Sequence, residues 1–203
     1  MNEQELIARL QRRDEAAFEE LIRLYEKKVY TLCARMCGNA EDAEEAAQDT
    51  FLALWRGIGS FRQESSLSTW IYRLASNACI DLLRRGKRNV SGPSLDDEES
   101  FLDAADPAPT PHEEAERREL QRQLREGLLS LPEDYRAILL LREAEGLSYA
   151  EISAATRLEL GTVKSRISRG RTLLRNYLCA DGNFFEKASS KVTECNRKKM
   201  SAK

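Results

Sequence analysis

Between residues 160 and 178 the chain places five basic side chains, Lys164, Arg166, Arg169, Arg171 and Arg175, and no acidic one. On a helix turning about 100° per residue, Leu160, Val163, Ile167, Leu174 and Leu178 fall on one arc and are expected in a core. Lys164, Ser165, Ser168, Arg169 and Thr172 lie on the far side, and Leu173, on the polar side, is expected against a neighbouring helix. Cations interleaved with small hydroxyls suit close approach to phosphates and base edges. The plainer reading is a solvated amphipathic helix that happens to be basic.

Two more groupings bear on chemistry. Trp70, Arg73, Asn77 and Arg84 share one helical face, opposite Leu74, Ala75, Ala78 and Leu82. An aromatic ring among cations and an amide can stack on and hold single-stranded nucleic acid, whereas the ordinary alternative for Trp70 is a partly buried core position at a helix start. Asp42, Glu45, Gln48 and Asp49 share the exposed side of another helix, either a partner surface or a solvated acidic face.

Enzyme chemistry finds little support. The chain has one histidine, His112, in a polar stretch, so Ser–His and Cys–His pairs lack material. Cys33 and Cys37 stand four apart on a predicted helix and could bring two thiolates to one metal. No Cys or His lies near them in sequence, so free thiols, and neither metal nor cofactor, are expected. No glycine-rich phosphate loop is present. The longest apolar run, Ala137 to Leu141, is far too short for a bilayer. The polar opening Met1-Asn2-Glu3-Gln4-Glu5 is unlike a secretory signal, which points to the cytoplasm.

The elements that must position these groups read as all-α. Phe18, Leu21, Ile22, Tyr25, Val29 and Leu32 recur at three- and four-residue steps, predicting a helix over 14–37 ended by Gly38. A second covers 40–57, opening with acids and carrying Ala43, Ala47, Phe51 and Leu54 on its apolar face. A polar loop, Phe61–Leu67, leads to a third from Ser68, a candidate N-cap, to about Arg85. The second half predicts helices over 113–130, from Pro132 to about Glu145, a short one capped by Ser148, and one over 160–178. A short helix, a tight turn and a longer basic helix make a helix-turn-helix.

Charge divides the chain further. Lys plus Arg against Asp plus Glu number 14 and 14 in residues 1–88, 2 and 10 in 89–119, 10 and 7 in 120–178, and 6 and 3 in 179–203. Gly92-Pro93, Pro107, Pro109 and Pro111 fall in the acidic stretch. Two small helical domains, 1–88 and 117–178, joined by a flexible acidic linker over 89–116 and followed by a basic, disordered tail over 179–203, are therefore expected.

Several segments resemble one family. Leu160-Gly161-Thr162-Val163-Lys164-Ser165-Arg166-Ile167-Ser168-Arg169-Gly170-Arg171 resembles region 4 of the extracytoplasmic-function sigma factors, and Leu131–Arg136 with Glu145–Ile152 matches the run-in to it. Ala43–Phe51 resembles the region 2 helix that grips the polymerase clamp. Phe61-Arg62, then Ser68–Ala75 and Asn77, resembles the −10 recognition segment. The resemblance covers roughly residues 10–88 and 117–178. It departs at Arg157, where a small or turn-forming residue is usual, and at Glu159, where proline is frequent; a left-handed turn accepts Arg157 less readily than glycine.

That resemblance implies a bacterial transcription-initiation factor that works on core RNA polymerase and promoter DNA, held in check by an anti-sigma factor, without a small-molecule substrate or membrane insertion. It assigns Thr162, Lys164, Ser165, Arg166, Ser168 and Arg169 to the −35 element. Phe61, Arg62, Ser65, Ser66, Trp70, Arg73, Asn77 and Arg84 go to the −10 element, where the 61–67 loop would take a flipped base. Asp42, Glu45, Gln48 and Asp49 go to the polymerase. The linker would enter an electropositive path in the enzyme, against the alternative of a soluble spacer. The rival function is a stand-alone helix-turn-helix regulator that binds duplex DNA without polymerase.

Overall fold

The computed structural model describes residues 3–86 and 111–180, all helices, turns and short loops among them. The expectations for the linker and tail, apart from 111–116 and 179–180, lie outside these residues. Among the described residues there are eight α-helices: α1 (Glu3–Gln11), α2 (Glu15–Cys37), α3 (Ala40–Gly57), α4 (Leu67–Gly86), α5 (Pro111–Leu129), α6 (Glu133–Glu143), α7 (Tyr149–Thr156) and α8 (Leu160–Ala180).

Each boundary has a local cause. Asp14 accepts from the Ala17 amide to start α2, and Asn39 accepts from the Asp42 amide at 2.8 Å to start α3. Gly38 ends α2 at φ 84, its N–H bonded to Ala34 O. The cap of α4 is Ser66 rather than Ser68: its hydroxyl accepts from the Thr69 amide at 3.1 Å, and the helix begins one residue before the expected cap. Pro132 stands at the N-cap of α6, which ends at Glu143 instead of Glu145. Ser148 and Glu151 form a reciprocal capping box on α7.

Helix α1 was not foreseen. Leu6, Ile7 and Leu10 bury its inner face. Its polar ends hold the 61–67 loop: Glu3 Oε1 accepts from the Leu67 amide at 3.0 Å, and Gln11 Nε2 donates to Phe61 O at 3.0 Å.

In the first half α2, α3 and α4 pack through Leu21, Val29, Leu32, Ala43, Leu54, Ile71 and Ala75, with Thr50 satisfied by Ala46 O at 2.7 Å. In the second half α6 is buried all round at Ala137–Leu141, because α8, α7 and the first half each cover a side. Gly170 lets α8 approach α6 closely, since a Cβ there would meet the Leu139 side chain at 3.0 Å. Leu160, expected in the core, is exposed: at the first turn of α8 it projects past the helices that cover Val163 and Ile167. Leu173 is exposed too.

The halves also touch. Helix α4 lies against α6 and α7, and the C-terminal end of α2 against α5 and α6, so that one apolar cluster runs through both.

Candidate nucleic-acid interface

The helix-turn-helix consists of α7, a turn at Arg157–Glu159, and α8. Arg157 itself takes the left-handed conformation, φ 56 and ψ 29. The departure noted in the sequence thus leaves the turn intact, at the cost of holding a side-chain-bearing residue where glycine is favoured. Ser153 Oγ closes the turn by donating to Leu158 O at 2.6 Å.

On α8, Lys164, Ser165, Ser168 and Arg169 are exposed and Thr162 is half-buried. Lys164 and Arg169 make no ion pair among the described residues. Arg166, from the same set, turns the other way, toward Asp134 of α6 at 3.7 Å. Arg171 is held by Glu143, with Nε to Oε1 at 3.0 Å. Five cations on one helix therefore split. Some neutralise local acids, while Lys164 and Arg169 stand with their charge unspent, as a phosphate- and base-reading surface requires.

The expected −10 set divides similarly. Arg62 is exposed and Ser65 half-buried, in a loop where Gln63 sits at φ 57. Phe61 and Trp70 do not offer their rings to solvent: they stack on each other at 4.8 Å between centroids, and both are buried. The core reading of Trp70 describes this structure, because α4 is covered on the side that a single-helix projection leaves open. Ser66 is occupied by capping and by a 2.8 Å bond to Thr69 Oγ1. Arg73 is half-buried; burial first, then the facing charge of Arg157, lowers its guanidinium from the ordinary value. Asn77 and Arg84 are exposed, with Arg84 Nη2 3.4 Å from Asp134 Oδ1.

On α3, Glu45 and Gln48 are exposed, while Asp42 and Asp49 are half-buried. Asp42 is engaged by Asn39 Nδ2 at 2.8 Å, and Arg85 bridges Glu45 and Asp49 at 3.7 and 3.6 Å. Beside Asp49 lies a feature the sequence reading passed over. Leu52 is 51% exposed, a large apolar side chain on an otherwise polar face. It lines an open groove of about 650 Å³ with Ala53 and Arg56 of α3 and Leu74, Asn77 and Arg84 of α4. The signal was its position three after Asp49 and four after Gln48, which puts it on the same face.

Among the described residues no cluster of His, Cys, Asp or Glu fits a metal ion, and no helix is long and apolar enough to cross a membrane. Cys33, Cys37 and Cys79 are free and buried.

Comparison with known proteins gives this arrangement a family. A family model for sigma-70 region 2 matches residues 21–89, and one for sigma-70 region 4 matches residues 121–174. The RNA polymerase sigma-H factor of Pseudomonas aeruginosa is 35% identical over 173 residues, spanning 83% of this chain and 90% of that protein. The ECF RNA polymerase sigma factor SigW of Bacillus subtilis is 34% identical over 179 residues, 85% and 94% of the two chains. Among solved structures, CnrH in complex with the cytosolic domain of CnrY aligns with a TM-score of 0.65 at 23% identity, covering 89% of this chain and 99% of that one. RpoE in complex with the anti-sigma factor NepR, from Bartonella quintana, aligns at 0.62 and 24% identity, covering 81% and 98%. At those identities the likeness to the solved structures is one of fold. The sequence relatives and both matched regions, in the order that the helices require, place this chain in the sigma-70 family, among its extracytoplasmic-function members.

Proposed function

We propose that this chain binds core RNA polymerase through the exposed face of α3, reads the −35 element with α8, and reads the −10 element with the 61–67 loop and the exposed part of α4. The observation that carries the reading is the pair Lys164 and Arg169, exposed and unpaired on the long helix of a helix-turn-helix. Such a helix enters the major groove with its N-terminal residues toward base edges. On α3, Leu52 joins Glu45, Gln48 and Asp49 as a contact, since an apolar anchor ringed by polar groups suits a protein interface. The chain contributes binding and positioning rather than catalysis, and acts in the cytoplasm. The domains that do this work are residues 1–88 and 117–178. One structural relative is captured with the anti-sigma factor NepR and another with the cytosolic domain of CnrY, which supports an anti-sigma factor as the regulator here.

The test is promoter-specific transcription reconstituted from purified chain and core polymerase over a promoter library. Defined −35 and −10 preferences that appear only with both components are expected. A gel shift of promoter duplex by the chain alone, as strong as with core enzyme, would instead favour the stand-alone regulator.

A further inference from the structure

A space of about 310 Å³ lies beside α4, walled by Ile80 of that helix and by Ala137, Ile138 and Leu158 opposite it. Its polar groups are mostly cations. Arg73 and Arg84 line it from α4 and Arg166 from α8, and Arg157, in the turn of the helix-turn-helix, stands close enough to Arg73 for the two charges to oppose each other. The acids on the lining are Asp81 and Asp134. Asp134 is shared, 3.4 Å from Arg84 and 3.7 Å from Arg166. Four arginines against two aspartates leave a surplus of two positive charges.

Arg73 and Arg157 make no ion pair among the described residues. Two like charges set together, one of them half-buried, repel more strongly than they would in open water. The fold gains nothing from that juxtaposition by itself, whereas an anion held by both converts the repulsion into charge-assisted hydrogen bonds. A second, independent feature belongs to the same space. Ser76, on its lining, is 4% exposed, and the hydroxyl has no hydrogen-bond partner. A hydroxyl inside a helix commonly donates to the carbonyl four residues back, as Thr50 and Thr156 do here. A buried hydroxyl without a partner costs stability, and a ligand in this space supplies one. Asn77, beside it, adds an exposed amide to the lining.

We propose that this space is a binding site for a nucleoside monophosphate, with Arg73 and Arg157 on the phosphate, Ser76 and Asn77 as hydrogen-bonding groups, and the base against Ile80, Ile138 and Leu158. Charge and size select this class. A phosphate monoester carries about −1.5 to −2 at neutral pH, which complements the surplus. The volume lies at the small end of the roughly 300–1,000 Å³ of small-molecule sites, enough for one nucleotide, and the apolar wall offers a base what an inorganic anion cannot use. Arg73 and Asn77 are assigned above to the −10 element, so a bound nucleotide competes with the promoter for them; only this consequence rests on the function proposed above.

The test is titration calorimetry of AMP and of GMP into the full chain without polymerase, so that its outcome is independent of transcription. One site per chain is expected, weakened as salt rises. Adenosine, guanosine and inorganic phosphate, each lacking part of the contacts, should bind roughly tenfold or more weakly than the nucleotides. Ser76→Ala removes a hydroxyl that bonds to nothing in the unliganded chain. It should weaken nucleotide binding several-fold while leaving the unfolding temperature at or above the parent's, a split that a packing role does not produce. Arg157→Asn, which keeps a residue tolerant of positive φ, should weaken binding by about tenfold or more, the worth of one hydrogen bond to a charged group. Inorganic phosphate binding as tightly as AMP and GMP overturns the nucleotide assignment. Absence of saturable binding by either nucleotide at millimolar concentration, or undiminished binding in both variants, overturns the site itself.

Discussion

Arg169 and Arg171 stand two residues apart on α8 with opposite expected consequences. Arg171 is committed to Glu143, an exposed pair of small worth. Replacing Arg171 with Ala should leave promoter choice unchanged. Replacing Arg169 or Lys164 with Ala should cost about 1–3 kcal/mol where the side chain reads a base, seen as flattened −35 preference in transcription from promoters altered one position at a time. The Ser148–Glu151 box gives a second prediction. Hydrogen bonds from the Ser148 side chain, and then from its backbone amide, lower the Glu151 carboxyl below its ordinary value. A lowered folded value means stabilisation that is complete above the ordinary glutamate range and fades as pH drops below it through the folded value. Ser148→Ala should therefore destabilise region 4 by about 1 kcal/mol at neutral pH, and the difference in unfolding midpoint from the parent should shrink on acidification. Thiols make a third test. Cys37 is pushed up by its hydrogen bond to Cys79 and then by burial, and Cys79 is pushed up first by its bond to Cys33. Thiolates are the reactive form, so in a Cys195→Ser chain the exposed Cys179 should titrate quickly with a disulfide reagent. Cys33, Cys37 and Cys79 should titrate only on unfolding.

At the scale of elements, the 61–67 loop is held from behind by α1, through Glu3 on the Leu67 amide and Gln11 on Phe61 O. Its ends are fixed, and Arg62, Gln63 and Glu64 remain exposed between them. Exchanging Arg62–Ser65 for another sequence, with Phe61, Ser66 and Leu67 kept, should change the preferred −10 base while leaving core affinity intact. Transcription of a randomised −10 library by both versions reads the outcome; identical preferences would make the loop a connector. The buried Phe61–Trp70 stack acts as the floor of this loop. Substituting Trp70 with Ala should destabilise region 2 by about 3–5 kcal/mol, visible in thermal unfolding before any effect on DNA can be isolated.

For the molecule as a whole, the long amphipathic elements and the exposed basic face of α8 were legible in the sequence. A period near 3.6 and caps such as Gly38 and Ser148 act through neighbours only a few residues away, and the family resemblance rested on contiguous segments. What the sequence by itself determined was thus an all-α chain of two regions, with an exposed basic helix in the second. Tertiary packing decided the rest. It buried Trp70 and Phe61, because α4 is covered from more than one side, and left Leu160 in solvent at a helix start that no neighbour overhangs. It set Arg166 on Asp134 and Arg171 on Glu143, leaving Lys164 and Arg169 with unspent charge. It also brought Arg136 to Met36 O, a hundred residues apart in the chain. Periodicity reports which face of a helix is apolar, but not how many helices surround it. A pairing between distant groups depends on where the backbone carries them, which no local pattern encodes.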